Sequence, residues 1–157
     1  MLSFTFTFCQ FKGEVGLEIG RPFGEGDVPS VGLGIVAQGE YTIKEKIGFT
    51  FQTGYTRLKS SVDRKNTSMI PLMVGFKWYF LSKEELGVFI HTKSGTYIYR
   101  STSLWRGANT STKVPFSSGL GIGCVINNKI TSELNFTVLD HLSDPRFYAS
   151  IKVSYNF

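Results

Sequence analysis

The segment FYASIKVSYNF, residues 147–157, closes the chain and decides how the rest is read. Phe147, Ala149, Ile151, Val153, Tyr155 and Phe157 take every second position, with Tyr148, Ser150, Lys152, Ser154 and Asn156 between them. A period of two marks a strand with one apolar and one polar face. Such a terminal strand needs a partner edge, and the first strand of the same chain is the natural one.

The alternation recurs upstream. Lys12–Gly20 sets Val15, Leu17 and Ile19 against Glu14, Gly16, Glu18 and Gly20. Val31–Ile43 sets Leu33, Ile35 and Tyr41 against Gly32, Gly34, Gln38 and Glu40. Ile47–Leu58 carries Phe49, Phe51 and Tyr55 opposite Gly48, Thr50 and Gln52. In Met69–Phe80 the apolar face is Ile70, Leu72, Val74, Phe76, Trp78 and Phe80. Pro71 has no N–H to give a ladder, so it is expected near a strand end or bulge. Leu86–Tyr99 is the least regular, because Thr92, Ser94 and Thr96 continue its apolar face, and a bulge near Gly95 is expected. Val114–Ile126 and Ile130–Leu139 complete the set. Long polar connections (21–30, 59–68, 100–113, 140–146) alternate with short turns (44–46, 81–85, 127–129). This rhythm predicts an all-β, eight-stranded antiparallel up-and-down transmembrane β-barrel, with both termini at the short-turn end.

Composition agrees. Only 18% of the 157 residues are charged, 15% are aromatic and 17 are Gly, which suits strands and turns rather than helices. The net charge of +5 is not gathered into a basic stripe, which argues against nucleic-acid binding. Cys9 and Cys124, with only His91 and His141 to help, give no metal-site spacing, so neither metal nor cofactor is expected. No apolar run reaches the roughly 18 residues of a membrane helix, whereas a barrel strand needs only about 9–11. Residues 1–10 are expected to be a signal-peptide remnant or a disordered N-terminus, with FTFTF as an ordinary first strand the alternative; 11–157 form one barrel domain. Phe8 is too bulky a neighbour for Cys9 to be a lipid anchor.

Parity alone does not say which face is inside, since a soluble ligand-binding barrel also alternates. Side-chain size does. Eight strands enclose too little space for so many rings, while the opposite face is rich in Gly, hydroxyls and amides. That face also carries Glu14, Glu18, Glu40 and Glu133 with Lys77, His91, Lys93 and Lys152, a candidate polar network of balanced sign. The rings gather at strand ends, as membrane-interface girdles do. Tyr41, Phe49, Trp78, Phe80, Tyr155 and Phe157 fall toward the short turns. Phe23, Tyr55, Trp105, Phe116 and Phe147 fall toward the long connections.

With IPLMVGFKWYF (70–80), TIKEKIGFTFQTGY (42–55) and the terminal KVSYNF, the chain resembles the small bacterial outer-membrane barrels of the OmpA and OmpX type. The resemblance covers Lys12–Phe157. It implies a Gram-negative outer-membrane location, and that Phe157 is read by the barrel-assembly machinery. It does not identify a function, because fold is not function.

The expected role is structural, or one of surface interaction through outer loops, for a monomeric barrel with a plugged polar lumen. A narrow porin-like channel is the alternative, followed by a lipid A-modifying barrel enzyme and a soluble lipocalin-like binder. No enzyme activity is expected: His91 with Lys93 and Glu133 reads as an ion-pair network, and His141 with Ser143 is a weak nucleophile pair. Arg57, Lys59 and Arg100 at the outer border are candidates for lipopolysaccharide phosphate contact.

Overall fold

The computed structural model describes residues 11–23, 30–44, 46–60, 65–82, 85–103, 109–140 and 146–157. Among these described residues there are nine strands: β1 (Phe11–Phe23), β2 (Ser30–Lys44), β3 (Ile47–Ser60), β4 (Lys65–Ser82), β5 (Leu86–Ser103), β6 (Asn109–Lys113), β7 (Phe116–Ile126), β8 (Ile130–Asp140) and β9 (Arg146–Asn156). All pairings are antiparallel, and the order β4-β3-β2-β1-β9-β8-β7-β5 closes through β4–β5 into an eight-stranded barrel. The first and last strands do pair. Gly13 and Phe157 exchange backbone hydrogen bonds of 3.1 and 2.9 Å, so the chain's own end seals the sheet.

β6 is not a separate element of the wall. It pairs with β5 in the same register as β7 does, so β6 and β7 are one strand interrupted at Val114-Pro115. Pro115 cannot donate to the ladder, but its carbonyl accepts from Tyr97 N and Thr96 Oγ1.

The strands run further than the alternation suggests. Arg21–Phe23, Lys59–Ser60, Lys65–Ser68, Arg100–Ser103 and Asn109–Lys113 are strand, not loop. They lie beyond the alternating apolar runs, and in Thr110–Lys113 both faces are exposed. For the same reason Pro71 is interior to β4 rather than near an end. Its cost shows in the β3–β4 ladder, which lacks the pairs that would join Gly54 and Tyr55 to Pro71 and Ile70. No bulge forms at Gly95, which stays in register with Met73 and Ser117. The irregularities lie instead at Tyr79–Leu81 and Thr42–Lys44, beside the short turns. The turn after β7 places Asn127 and Asn128 at φ 50° and 54°, a left-handed pair that Asn tolerates.

The wall is inverted relative to a water-soluble barrel. Leu17 is 68% exposed, Leu33 65% and Phe136 59%, while His91, Glu133, Lys77 and Lys152 are at most 1% exposed. An apolar outer wall around a charged interior is what a hydrocarbon solvent requires. The chain is a transmembrane barrel.

Candidate functional site

The lumen is the only interior the described strands enclose, and it has two halves of different chemistry. The half toward the short turns is a single ion-pair chain. Lys77 (β4) lies between Glu14 of β1 (Nζ–Oε1 3.2 Å) and Glu40 of β2 (Nζ–Oε2 3.0 Å). Lys152 (β9) joins Glu14 (3.1 Å) to Glu133 of β8 (2.8 Å to Oε2, an ion contact without hydrogen-bond geometry). Glu133 Oε1 takes His91 Nδ1 at 2.8 Å and Lys93 Nζ at 3.1 Å, both from β5. Charge alternates in sign along the whole run from Glu40 to Lys93, so each ion faces opposite neighbours.

Neutral groups complete it. Tyr79 donates to both Glu40 oxygens (2.9 and 3.0 Å), and Ser154 donates to Glu14 Oε2 (3.0 Å). Lys152 also donates to Gln38 Oε1 (3.0 Å), and Lys93 donates to Gln52 Oε1 (3.3 Å) and to Asn135. Lys77 Nζ sits 4.8 Å from the Phe89 ring centroid, a cation–π contact. In the neutral ring, His91 gives Nδ1–H to Glu133 and takes the Thr50 hydroxyl at Nε2, 2.8 Å away. β7 supplies space rather than charge: a Cβ on Gly121 would stand 2.6 Å from both Asn135 Oδ1 and Glu133 Oε1. At the short-turn mouth a cavity of ≈ 80 Å³ opens among Lys12, Glu14, Glu40, Lys77, Tyr79 and Asn156.

The other half holds an apolar cluster among the buried hydroxyls of Thr56, Ser117 and Thr137. Leu58, Met69, Met73, Tyr97, Leu139 and Tyr148 pack across the lumen toward the long connections, with Tyr99 against them. The polar lumen expected from the sequence thus also holds an apolar cluster. Parity had already put these residues inside. They escape notice because Leu and Met on the inner face look like lapses in a pattern rather than a second layer.

The structure brings Glu14, Glu40, Lys77, His91, Lys93, Glu133 and Lys152 together. Glu18 is buried in the same lumen, but no described cation lies in ion-pair contact with it; the groups it acts on include the Tyr97 and Tyr148 phenols. His91 has both ring nitrogens engaged and no exposed surface. His141, Ser143 and Trp105 lie outside the described residues, as do residues 1–10.

On the outer wall Tyr41, Phe49, Trp78, Phe80, Tyr155, Phe157, Tyr55, Phe116 and Phe147 are all exposed. Phe11, which sequence reasoning left out, is 74% exposed and heads a cross-strand row Phe11–Tyr41–Phe49–Phe76. Within it Phe49 and Phe76 meet edge-on at 5.5 Å. At the other rim Phe23 pairs with Phe147, and the Arg21 guanidinium covers the Phe23 ring at 5.6 Å. Arg57 and Arg100 flank Ser68 in one cross-strand row, and Lys59 follows Arg57 on the same exposed face, beyond Tyr55. The three cations predicted at the outer border thus form one patch.

No family model matches the sequence, and neither does any curated protein. Solved structures do match in fold. Neisserial surface protein A (NspA) is 10% identical over 93% of this chain and 95% of its own, with a TM-score of 0.71. The N-terminal barrel domain of Pseudomonas aeruginosa OprF is 12% identical over 95% and 99%, TM-score 0.67. Ail, the attachment invasion locus protein of Yersinia pestis, is 12% identical over 94% and 97%, TM-score 0.65. The fold is that of the small bacterial outer-membrane barrels.

Proposed function

We propose that this chain is an outer-membrane barrel that presents an interaction surface to the cell exterior, with its lumen serving as structural filling. The observation that carries this reading is the β5–β6 hairpin. It continues beyond the last residue of β8 that pairs with β7, so β6 is held by β5 alone among the described residues. An unaccompanied edge can accept an extended segment of a partner protein through main-chain hydrogen bonds. Its sequence, Asn-Thr-Ser-Thr-Lys, is short and polar, which keeps such an edge from aggregating.

The outward patch of Arg57, Lys59 and Arg100 supports a second contact, with lipopolysaccharide phosphates. Two arginines about 10 Å apart, from two strand spacings, with a lysine beyond, suit a phosphate-bearing headgroup at the membrane border. An enzymatic reading has no support in the lumen, where His91 is engaged on both sides and out of reach.

The test shortens the hairpin by removing residues 102–110 and closing it with a tight turn. The barrel should still assemble, while adhesion of expressing cells to immobilised extracellular-matrix protein falls to that of cells without the chain. Unchanged adhesion would leave only the structural role. In parallel, Arg57→Gln, Lys59→Gln and Arg100→Gln together should lower lipopolysaccharide co-purification; an unaltered yield would return these residues to the class of solvated rim charges.

A further inference from the structure

The described strand ends toward the long connections carry charge of one sign. In residues 57–60 of β3, 65–68 of β4, 100–103 of β5 and 109–113 of β6, the charged residues are Arg57, Lys59, Lys65, Arg100 and Lys113, and none is acidic. The lumen, by contrast, sets each Lys against Glu. We propose that the extended segment taken up by the free edge of β6 is acidic, with two consecutive carboxylate side chains, one meeting Lys113 and the other Arg100. This choice of partner rests on β6 being an open edge, and it adds which strand that edge selects.

The register places the two cations on opposite faces of the sheet. Lys113 ends the cross-strand row Met69–Tyr99–Lys113. Thr112 ends the next row, Arg57–Ser68–Arg100–Thr112. Neighbouring residues of a strand point to opposite faces, so the two rows do too. A strand added to β6 extends both rows by one place. Its residue opposite Lys113 has its Cβ about 5 Å from that of the lysine, within reach of a direct ion pair. Its neighbour in sequence stands opposite Thr112, about 10 Å from the Arg100 backbone. Only the short Thr112 side chain lies between, so a glutamate can reach over it to the guanidinium.

Both cations are open to such a partner. Arg100 and Lys113 are exposed, and neither side chain has an ion pair among the described residues. Hydroxyls around them bond one another, Thr67 with Ser101 and Thr102 with Thr110, each at 3.4 Å, so they add no competing charge. Opposite charges across a strand pair attract and like charges repel. A basic segment is therefore turned away on both faces, and a neutral one has the main-chain bonds alone. Arg100 also borders the Arg57 patch, whereas Lys113 belongs to the edge, so Lys113 is the residue that separates the two contacts.

The experiment folds the full chain into phosphatidylcholine vesicles without lipopolysaccharide and follows three fluorescent β-forming peptides by anisotropy. They are identical except for a central pair of glutamates, glutamines or lysines. The glutamate peptide should bind about tenfold tighter than the glutamine peptide, and the lysine peptide weakest. Lys113→Glu should reverse the order of the charged peptides, Lys113→Arg should keep it, and Lys113→Gln should narrow the difference. Removing residues 102–110 leaves both cations in the chain but takes away most of the edge, and should abolish binding of all three. The heat-dependent shift in SDS mobility confirms that each variant has assembled. Equal binding of the glutamate and glutamine peptides, both lost on shortening, would overturn the acidic preference and leave the open edge standing. Glutamate-peptide binding that survives shortening would show charge attraction without strand pairing and overturn the proposal. Binding of no peptide by wild type would overturn the open edge itself.

Discussion

At the scale of single residues, the lumen depends on ions that satisfy one another. Lys152 touches both Glu14 and Glu133, so it is the link between the β1–β2–β4 and β5–β8 parts of the chain. Removing one partner of a buried pair strands the other charge, at a cost of about 3–5 kcal/mol. Lys152→Met should lower stability by an amount in that range, read as a shift of the urea midpoint for unfolding from lipid vesicles. A loss near zero would mean the pairs are incidental. Most of this network was legible in sequence, because parity alone puts His91 and Lys93 on the inner face with Glu133. Which carboxylate lacks an ion pair was not legible. Glu18 and Glu14 occupy equivalent positions in the pattern, and only the layer packed above Glu18 sets it apart.

At the scale of elements, the strands were legible wherever one face meets lipid and the other the lumen. Above that band the chemistry of the two faces converges, so the upper ends of β4 and β5 and the whole of β6 read as loop. Pro71 is misplaced from sequence for the same reason: in a strand read as starting at Met69, the proline falls at the edge, whereas β4 starts at Lys65. The lipid-facing assignment makes a depth-dependent prediction within β1. Leu17 lies midway between Phe11 and Phe23, at opposite ends of the strand. Leu17→Arg should cost about 2–4 kcal/mol, and Phe23→Arg about 0–1 kcal/mol, as a charge near the bilayer centre compares with one at the interface. Vesicle-based urea titrations of the two variants measure this, and equal penalties would place β1 at some other depth.

At the scale of the molecule, the decisive property is inversion. Alternation fixes that there are two faces but not which is inside, and side-chain size resolves it because a narrow barrel has no room for the rings on its outer face. The apolar layer was the part that escaped: a polar lumen was expected, and two chemistries share it. The central claim is that this sheet is closed and solvated by lipid. Electrophoretic mobility in SDS, with and without boiling, after folding into lipid vesicles tests it most directly. A closed barrel whose outer wall already matches detergent should run as a compact band until heated, then shift to the mobility of the unfolded chain. A chain that shows no heat-dependent shift, and instead stays folded and monomeric in plain buffer, would contradict the account and turn the wall the other way round.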